Sequence, residues 1–444
     1  MVKKVVKYVF LFFIILIFNL ICSPLNLDEV WNYGFANNIY RGLVPYADFN
    51  MVITPFYPWF MSLPFHIFGS SMLVFHITNA FILTGCLFLL EKMYQDKMWI
   101  FFLFFFFPVT AAAPNYSIFL FVLLVILVFL EKNYVSRDSN RIHYFIGFLL
   151  GVAVLTKQTV GVFLLVPSLV LFWKNWKVLG KRFLGFLIPI TIFLIYLFVT
   201  DSFFSFINLC LLGLFDFTEN SRIFNIFGLL FLFMVLVTIY FLWKDKKNII
   251  PYYVLCFYTI VIPIIDIYHF FIAFVAFLLL FLSHVRKTYF HYSFLSIIVV
   301  FLMGILLANF NQFNIKNYPN DLNRFQYRYV RMSSYQFTKE VFAYVREHDD
   351  KNIMYMVPDA YYFKIILDQD CGYFDLINQG NLGYRGSQWL LNKIKNMEDT
   401  LFLIDPSEYG SGNQIDQKAH QYILDYGTKI DEVGFYEVYV LEEE

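Results

Sequence analysis

The 444-residue chain has little charge: 33 Lys and Arg and 33 Asp and Glu, 15% of its residues, against 59% hydrophobic ones. Soluble domains carry about 25% charged residues and under 50% apolar ones, so water is not the main solvent of this sequence. The charges cancel to zero, which leaves no basic face for nucleic acid and excludes that class of partner. Cysteine is scarce too. The five present have no Cys-x-x-Cys and no zinc-like spacing, which sets thiol redox chemistry and structural zinc aside. Cys22, Cys86, Cys210 and Cys256 sit in or beside apolar runs, and Cys371 stands alone in the polar tail. An exported tail with one thiol has no internal disulfide, so its core must hold it together. No internal repeat is visible. The N-terminus, Lys3, Lys4 and Lys7 followed by an apolar run from Val9 to Ile21, lacks the small residues of a cleavage site and reads as a retained first span.

What is present is a series of apolar runs. Of the 66 charged residues only 32 lie before Asn311, so residues 1–310 belong in lipid and residues 311–444 in water. A span needs roughly 20 apolar residues, fewer inside a protein-lined cavity. Eleven spans are expected, at 6–23, 71–90, 98–113, 115–130, 142–156, 159–173, 183–200, 223–243, 249–265, 268–284 and 288–309. Alternated from a cytoplasmic N-terminus, they place 17 of the 20 basic residues of the membrane half inside and only Arg41, Lys157 and Arg222 outside. That asymmetry is what the positive-inside rule demands. The same parity puts a large first loop (24–70), the segment 201–222 and the tail outside. The fold class is therefore a polytopic α-helical membrane protein with a small C-terminal extracytoplasmic α/β domain.

The tail alternates. Tyr335 to His348 has helical apolar spacing, Asn352 to Val357 is β-rich, Ser387 to Met397 is helical, Thr400 to Ile404 is a short buried strand, Gln414 to Tyr426 is helical and Lys429 to Val440 alternates as a strand or hairpin. A small three-layer α/β sandwich satisfies this order. Its loop Asn378-Gln379-Gly380-Asn381-Leu382-Gly383 fits either an ordinary turn or an approach to a ligand.

The first external loop opens with Asn26-Leu27-Asp28-Glu29, which reads as a helix running to Tyr40 and stopped by Gly42. Asn26 caps that helix and Glu29, three residues on, closes a capping box, so Glu29 has a structural reading beside a functional one. Asp28 is not needed for the box. Further on come Gly42-Leu43-Val44-Pro45-Tyr46-Ala47-Asp48, the aromatic Pro55-Phe56-Tyr57-Pro58-Trp59, and Gly151-Val152-Ala153-Val154-Leu155-Thr156-Lys157. Together, in this order, these segments resemble the C-type glycosyltransferase superfamily, which includes protein O-mannosyltransferases and the aminoarabinose transferases of lipid A. Bacterial surface-polysaccharide relatives are the nearest in pattern.

The resemblance implies transfer of a sugar from a polyprenyl-phosphate carrier to a lipid or polysaccharide acceptor on the outer face, with inversion. It places Asp28 at the general base. An anionic leaving group needs cations at the membrane surface, and Lys157, Arg222 and Arg41 are the external ones; a snorkelling lysine is the alternative for Lys157. Asp266 and His269 lie one helical turn apart and can meet on one face, as a functional pair or as a helix cap with its hydrogen-bond partner. Asp48, with Tyr46 beside it, is a candidate for binding substrate or a metal, and its turn-like context offers the alternative that it satisfies backbone amides. No cofactor follows from the spacing, and a divalent metal stays open. A flippase or transporter for lipid-linked sugars, or a polymerase of lipid-linked repeats, fits the same hydropathy, although transporters show paired halves with broken helices and none are visible here.

Overall fold

The computed structural model describes residues 2–21, 27–104, 114–135, 140–213, 226–262, 267–284, 335–357, 360–367, 369, 383, 386–406 and 417–441. The chain divides into two compact units. One gathers Met1–Asn32, Thr54–Ile195 and Ser221–Lys316, and the other Tyr33–Ile53, Tyr196–Asn220 and Asn317–Glu444.

The first unit is helical. Its elements are α1 (Val2–Ile21), the start of α2 (Leu27–Tyr40), the short α3 (Phe56–Ser62) and α4 (Phe65–Phe68), α5 (Met72–Tyr94), α6 (Met98–Phe104), α7 (Tyr116–Tyr134), α8 (Asn140–Val154), α9 (Gln158–Phe163), α10 (Val166–Phe172) and most of α11 (Trp176–Val199). After the one-turn α12 (Phe203–Phe206) of the second unit come α13 (Ile226–Lys244), α14 (Ile250–Phe257) and α15 (Ile267–His284). Helices thus stand at ten of the eleven expected spans, and the last, 288–309, lies outside the described residues. Among those residues four helices are long and apolar enough to cross a bilayer: Met72–Tyr94, Tyr116–Tyr134, Trp176–Val199 and Phe227–Lys244. The 23 residues of α5 rise about 34 Å at 1.5 Å each, enough for a hydrocarbon layer of about 30 Å.

Exposure follows the solvent. On α11 Ile188, Ile192, Ile195 and Val199 are exposed, and on α13 Leu229, Phe233, Leu236, Tyr240 and Trp243. Both helices expose apolar residues broadly, a surface that water would penalise and lipid does not. The inner faces carry polar ties where helices end. Tyr94 donates to the carbonyl of Leu279 at 2.7 Å and Lys97 to that of Leu282 at 3.0 Å; the Leu282 carbonyl, in the last turn of α15, has no helical amide of its own.

In the second unit, the C-terminal domain has a four-stranded sheet, β1 (Asn352–Met356), β2 (Thr400–Ile404), β3 (Gly427–Val433) and β4 (Tyr436–Leu441), in the order β1-β2-β4-β3. β1 and β2 are parallel, and β4 runs antiparallel to β2 and β3. The two-residue side-chain period sends Tyr355, Leu401, Leu403, Val433, Tyr436 and Val438 to one face, against Val341, Phe342 and Val345 of α16 (Tyr335–Glu347) and Phe363 of α17 (Ala360–Ile366). Met354, Met356, Phe402, Ile404 and Tyr439 turn to the other face, against Leu390 and Ile394 of α18 (Gly386–Ile394) and Ala419 and Ile423 of α19 (Gln417–Tyr426). The expected three layers are present. Helix α17 is an addition: its Tyr-Tyr-Phe-Lys-Ile-Ile reads as β by propensity, and packing of Ala360 and Phe363 on the sheet decides otherwise.

Candidate active site

Helix α2 ends as the sequence predicts. Arg41 N and Leu43 N return to the carbonyls of Asn37 and Asn38, both at 3.0 Å, and Gly42 takes the positive φ, +91°, that such a terminus needs. The first turn of the helix holds Asp28, whose side chain lies outside the described residues, as does Asn26. Glu29 is turned inward with 1% of its side chain exposed, and its Oε1 is 2.8 Å from Nε2 of His76 on α5, which is fully buried. For that contact Nε2 must carry a proton, so His76 donates either as the neutral Nε2 tautomer or as imidazolium. A carboxylate this deep needs such a partner, and the pair ties the start of α2 to the start of α5.

The loop that leaves α2 returns to the first unit at Thr54, where it meets the Leu-Thr-Lys turn. Thr54 Oγ1 donates to the carbonyl of Val154 and Phe56 N to that of Leu155, each at 2.8 Å. Two segments about a hundred residues apart in sequence, both prominent in the family resemblance, are thereby joined. They join because α8 ends there and exposes carbonyls that α9 does not satisfy. Gly161 lets the two helices fold back so closely: a Cβ there would stand 2.2 Å from the backbone nitrogen of Val154.

Lys157 is the N-cap residue of α9 and is only 9% exposed. Its Nζ lies 5.4 Å from the ring centre of Tyr116 at the start of α7, within cation–π range. Asn115, the acceptor of a potential glycosylation sequon, is buried and spends its Oδ1 on Ile118 N as the cap of α7. On α3, Tyr57 is 1% exposed and its ring centre is 5.4 Å from that of Phe119 on α7. Burial, then the charge of Glu29, holds the Tyr57 phenol well above its ordinary pKa, so it is a proton donor. The hydroxyls of Tyr57 and Ser117 are both buried and have no hydrogen-bond partner among the described residues. Tyr57 thus packs on α7 at Phe119, the helix whose Tyr116 ring Lys157 covers, and the charge of Glu29 acts on the Tyr57 phenol.

In the second unit, Tyr46 and Asp48 build the loop. Tyr46 is fully buried at φ 69°, a left-handed conformation costly for a non-glycine residue. Its phenol donates to the carbonyl of Ile53 at 2.7 Å and its ring meets Phe206 edge-on at 5.2 Å, which holds it there. Burial raises its pKa as well. Asp48 is exposed and accepts the Val44 amide on Oδ2 at 2.6 Å, so its backbone-satisfying reading is realised. Gly383, the described end of the polar loop 378–383, has φ +73°, and a Cβ there would be 2.5 Å from the amide nitrogen of Asn208. Arg222 and Asp266 lie outside the described residues. His269 stands half-buried in the first turn of α15, edge-on to Tyr268.

A second buried ionic group belongs to the scaffold. Arg182 grips Glu131 with two nitrogens at 2.6 and 2.9 Å and donates to Ser168 at 2.7 Å, while Tyr253 donates to Glu131 at 2.7 Å. The sequence pointed to Tyr57 only within its aromatic segment and to neither His76 nor this cluster, although an ionisable residue inside an apolar run is a usable signal. Among the described residues no group of three or more His, Cys, Asp or Glu side chains is placed to hold a metal.

No family model matches the sequence, and no curated protein does. Solved structures do match. The structure of ArnT from Cupriavidus metallidurans bound to undecaprenyl phosphate aligns with a TM-score of 0.59 at 12% identity, over 98% of this chain and 98% of that one. Its apo state gives 0.58 at 11% identity, over 99% and 98%. The chain has the ArnT fold. This is the architecture the C-type resemblance predicts, and the likeness to ArnT extends to the C-terminal α/β domain as well as the helical bundle. At 12% identity the shared fold does not carry residue roles with it, so those rest on the site itself.

Proposed function

We propose that the protein is a membrane glycosyltransferase that moves a sugar from a polyprenyl-phosphate carrier to a cell-envelope lipid or polysaccharide, on the extracytoplasmic face and with inversion at the anomeric carbon. The observation that carries this reading is the pair of hydrogen bonds from Thr54 and Phe56 to the carbonyls before Lys157, in a chain whose full-length structural neighbour is ArnT bound to undecaprenyl phosphate.

In this reading Asp28 takes the proton of the acceptor hydroxyl as it attacks, and the carrier phosphate leaves toward Lys157. The lysine, held at the end of α8 and shielded from water, meets the developing phosphate charge with little reorganisation. Glu29 anchors α2 on His76 and thereby fixes the helix turn from which Asp28 extends. The phenol of Tyr57, kept protonated, serves as a donor to the sugar or the phosphate. Arg222, Asp266 and His269 are candidates for completing the donor site. Tyr46 and Asp48 are candidates for binding substrate.

The test is turnover of a prenyl-phosphate sugar by purified enzyme in nanodiscs. Asp28→Asn should retain membrane level and donor binding while turnover falls by roughly 10²-fold or more, the scale for losing a positioned base. Near-normal turnover would remove Asp28 from the chemistry.

A further inference from the structure

A groove of about 780 Å³ opens between α1 and α5, away from the proposed active site. Its lower part is apolar, with Val5, Val9 and Phe13 of α1 facing Phe81 and Phe88 of α5, and all five are exposed. Its mouth is charged, with Lys4 on one helix and Glu91 and Lys92 on the other. Lys7 is committed to Glu91, Nζ to Oε2 at 2.9 Å, and Tyr8 donates to the same oxygen. With Glu91 thus neutralised, Lys4 and Lys92 supply the remaining charge at the mouth, and both are positive. Lys92 lies over the ring of Phe88 at 5.5 Å, and Lys7 lies over that of Trp99 at 5.3 Å, an arrangement that suits the membrane interface.

The dimensions match one leaflet. From Lys4 to Phe13 the helix rises about 14 Å at 1.5 Å per residue, and half of a hydrocarbon core of about 30 Å is about 15 Å. A ligand that fills this groove has an acyl-length apolar tail and an anionic head at the interface. We propose that the groove is a specific site for an anionic glycerophospholipid, with one acyl chain seated between α1 and α5 and the headgroup phosphate at Lys4 and Lys92. Neutral lipids share the tail but lack the complementary net charge, and the mouth discriminates against them.

The experiment is native mass spectrometry of the full-length protein with palmitoyl-oleoyl phosphatidylglycerol or phosphatidylcholine added at equal concentration. The wild type should retain the phosphatidylglycerol preferentially. A lysine near an anionic headgroup is worth about a fivefold preference, so Lys4→Gln/Lys92→Gln should lower the ratio of the two lipids by about 25-fold. Thr84→Trp, which fills the groove, should lose both. Phosphatidylglycerol with a diazirine on its acyl chain should label wild-type peptides of α1 and α5 above all others, a readout that needs no variant. An unchanged lipid ratio in the lysine variant, or labelling spread evenly over the apolar surface, overturns the proposal. So does displacement of phosphatidylglycerol from the groove by undecaprenyl phosphate, which would make it a carrier site.

Discussion

Replacing His76 by alanine tests how much of the first loop's position depends on one buried contact. The wild-type pair is 2.8 Å long, with side chains 0% and 1% exposed, so neither water nor a rotamer change can compensate for the missing ring. Breaking a buried pair by removing one partner typically costs about 3–5 kcal/mol, because the other charge is left uncompensated. Replacing both partners with apolar residues of similar volume is close to neutral on the same argument. We therefore predict that His76→Ala loses about 3–5 kcal/mol, while Glu29→Leu/His76→Leu loses far less than the sum of its single variants. The measurement is equilibrium unfolding in mixed micelles, run as a double-mutant cycle with Glu29→Leu and His76→Leu as the single arms. A coupling of at least about 2 kcal/mol is expected. If the two single losses add to within about 0.5 kcal/mol, the limit for independent sites, the contact carries no energy and the anchoring role assigned to Glu29 is wrong.

Three further outcomes are expected. Lys157→Ala should raise the KM for the prenyl-phosphate donor with the protein still folded, and Lys157→Arg should restore part of it; unchanged KM and kcat would leave the lysine a snorkelling side chain. Gln388→Cys at an exposed position of α18, in a background without native cysteines, should react with an impermeant thiol reagent from outside intact cells, and labelling only after lysis would put the C-terminal domain in the cytoplasm. In that domain burial pushes the His420 imidazole down, against a smaller upward pull from Asp405. A histidine with a depressed folded pKa stabilises fully above its unfolded value of about 6.5 and loses that contribution as pH falls below it. The protection factors of α19 amides in the full-length protein, corrected for the intrinsic exchange rate at each pH, should therefore fall between pH 7 and pH 5, and His420→Leu should flatten the dependence; an unchanged slope would exclude His420 as its source.

Much of this architecture was legible because lipid imposes a strong rule on sequence. Helices fall at ten of the apolar runs that predict them, and α2 stops where Gly42 supplies the positive φ. The sheet was legible for a related reason: Thr400 to Ile404 is a buried run bounded by polar residues, and β2 occupies those same residues. The site was legible only in part. Asp28, Glu29 and Lys157 stand out as rare ionisable residues beside spans, yet nothing local in the sequence says that Glu29 meets a histidine 47 positions later or that Phe56 bonds the carbonyl of Leu155. Such contacts depend on which helices neighbour one another, and hydropathy does not encode that. The same limit explains Asp48, whose Asx-like bond to Val44 is a turn property that the Pro45-Tyr46 context suggested without deciding.

Buried polar groups differ in how far they are satisfied. Glu131 accepts two guanidinium nitrogens and a phenol, and Arg182 adds Ser168 to that set and lies over the Phe172 ring at 4.3 Å. Of these groups only Arg182 Nε finds no partner among the described residues, and the cluster reads as a clamp between α7, α10, α11 and α14. Tyr57 and Ser117 are in the opposite condition. Each buries a hydroxyl that finds no partner among the described residues, at a cost of about 1–3 kcal/mol apiece. Tyr57 packs on Phe119 of α7, and Ser117 follows Tyr116, whose ring Lys157 covers. A fold keeps such a cost where a visiting polar group removes it, and a sugar phosphate brings several acceptors at once. Tyr57→Phe should then leave the protein at least as stable as the wild type while weakening donor binding. Loss of stability with unchanged binding would show instead that the phenol serves the fold.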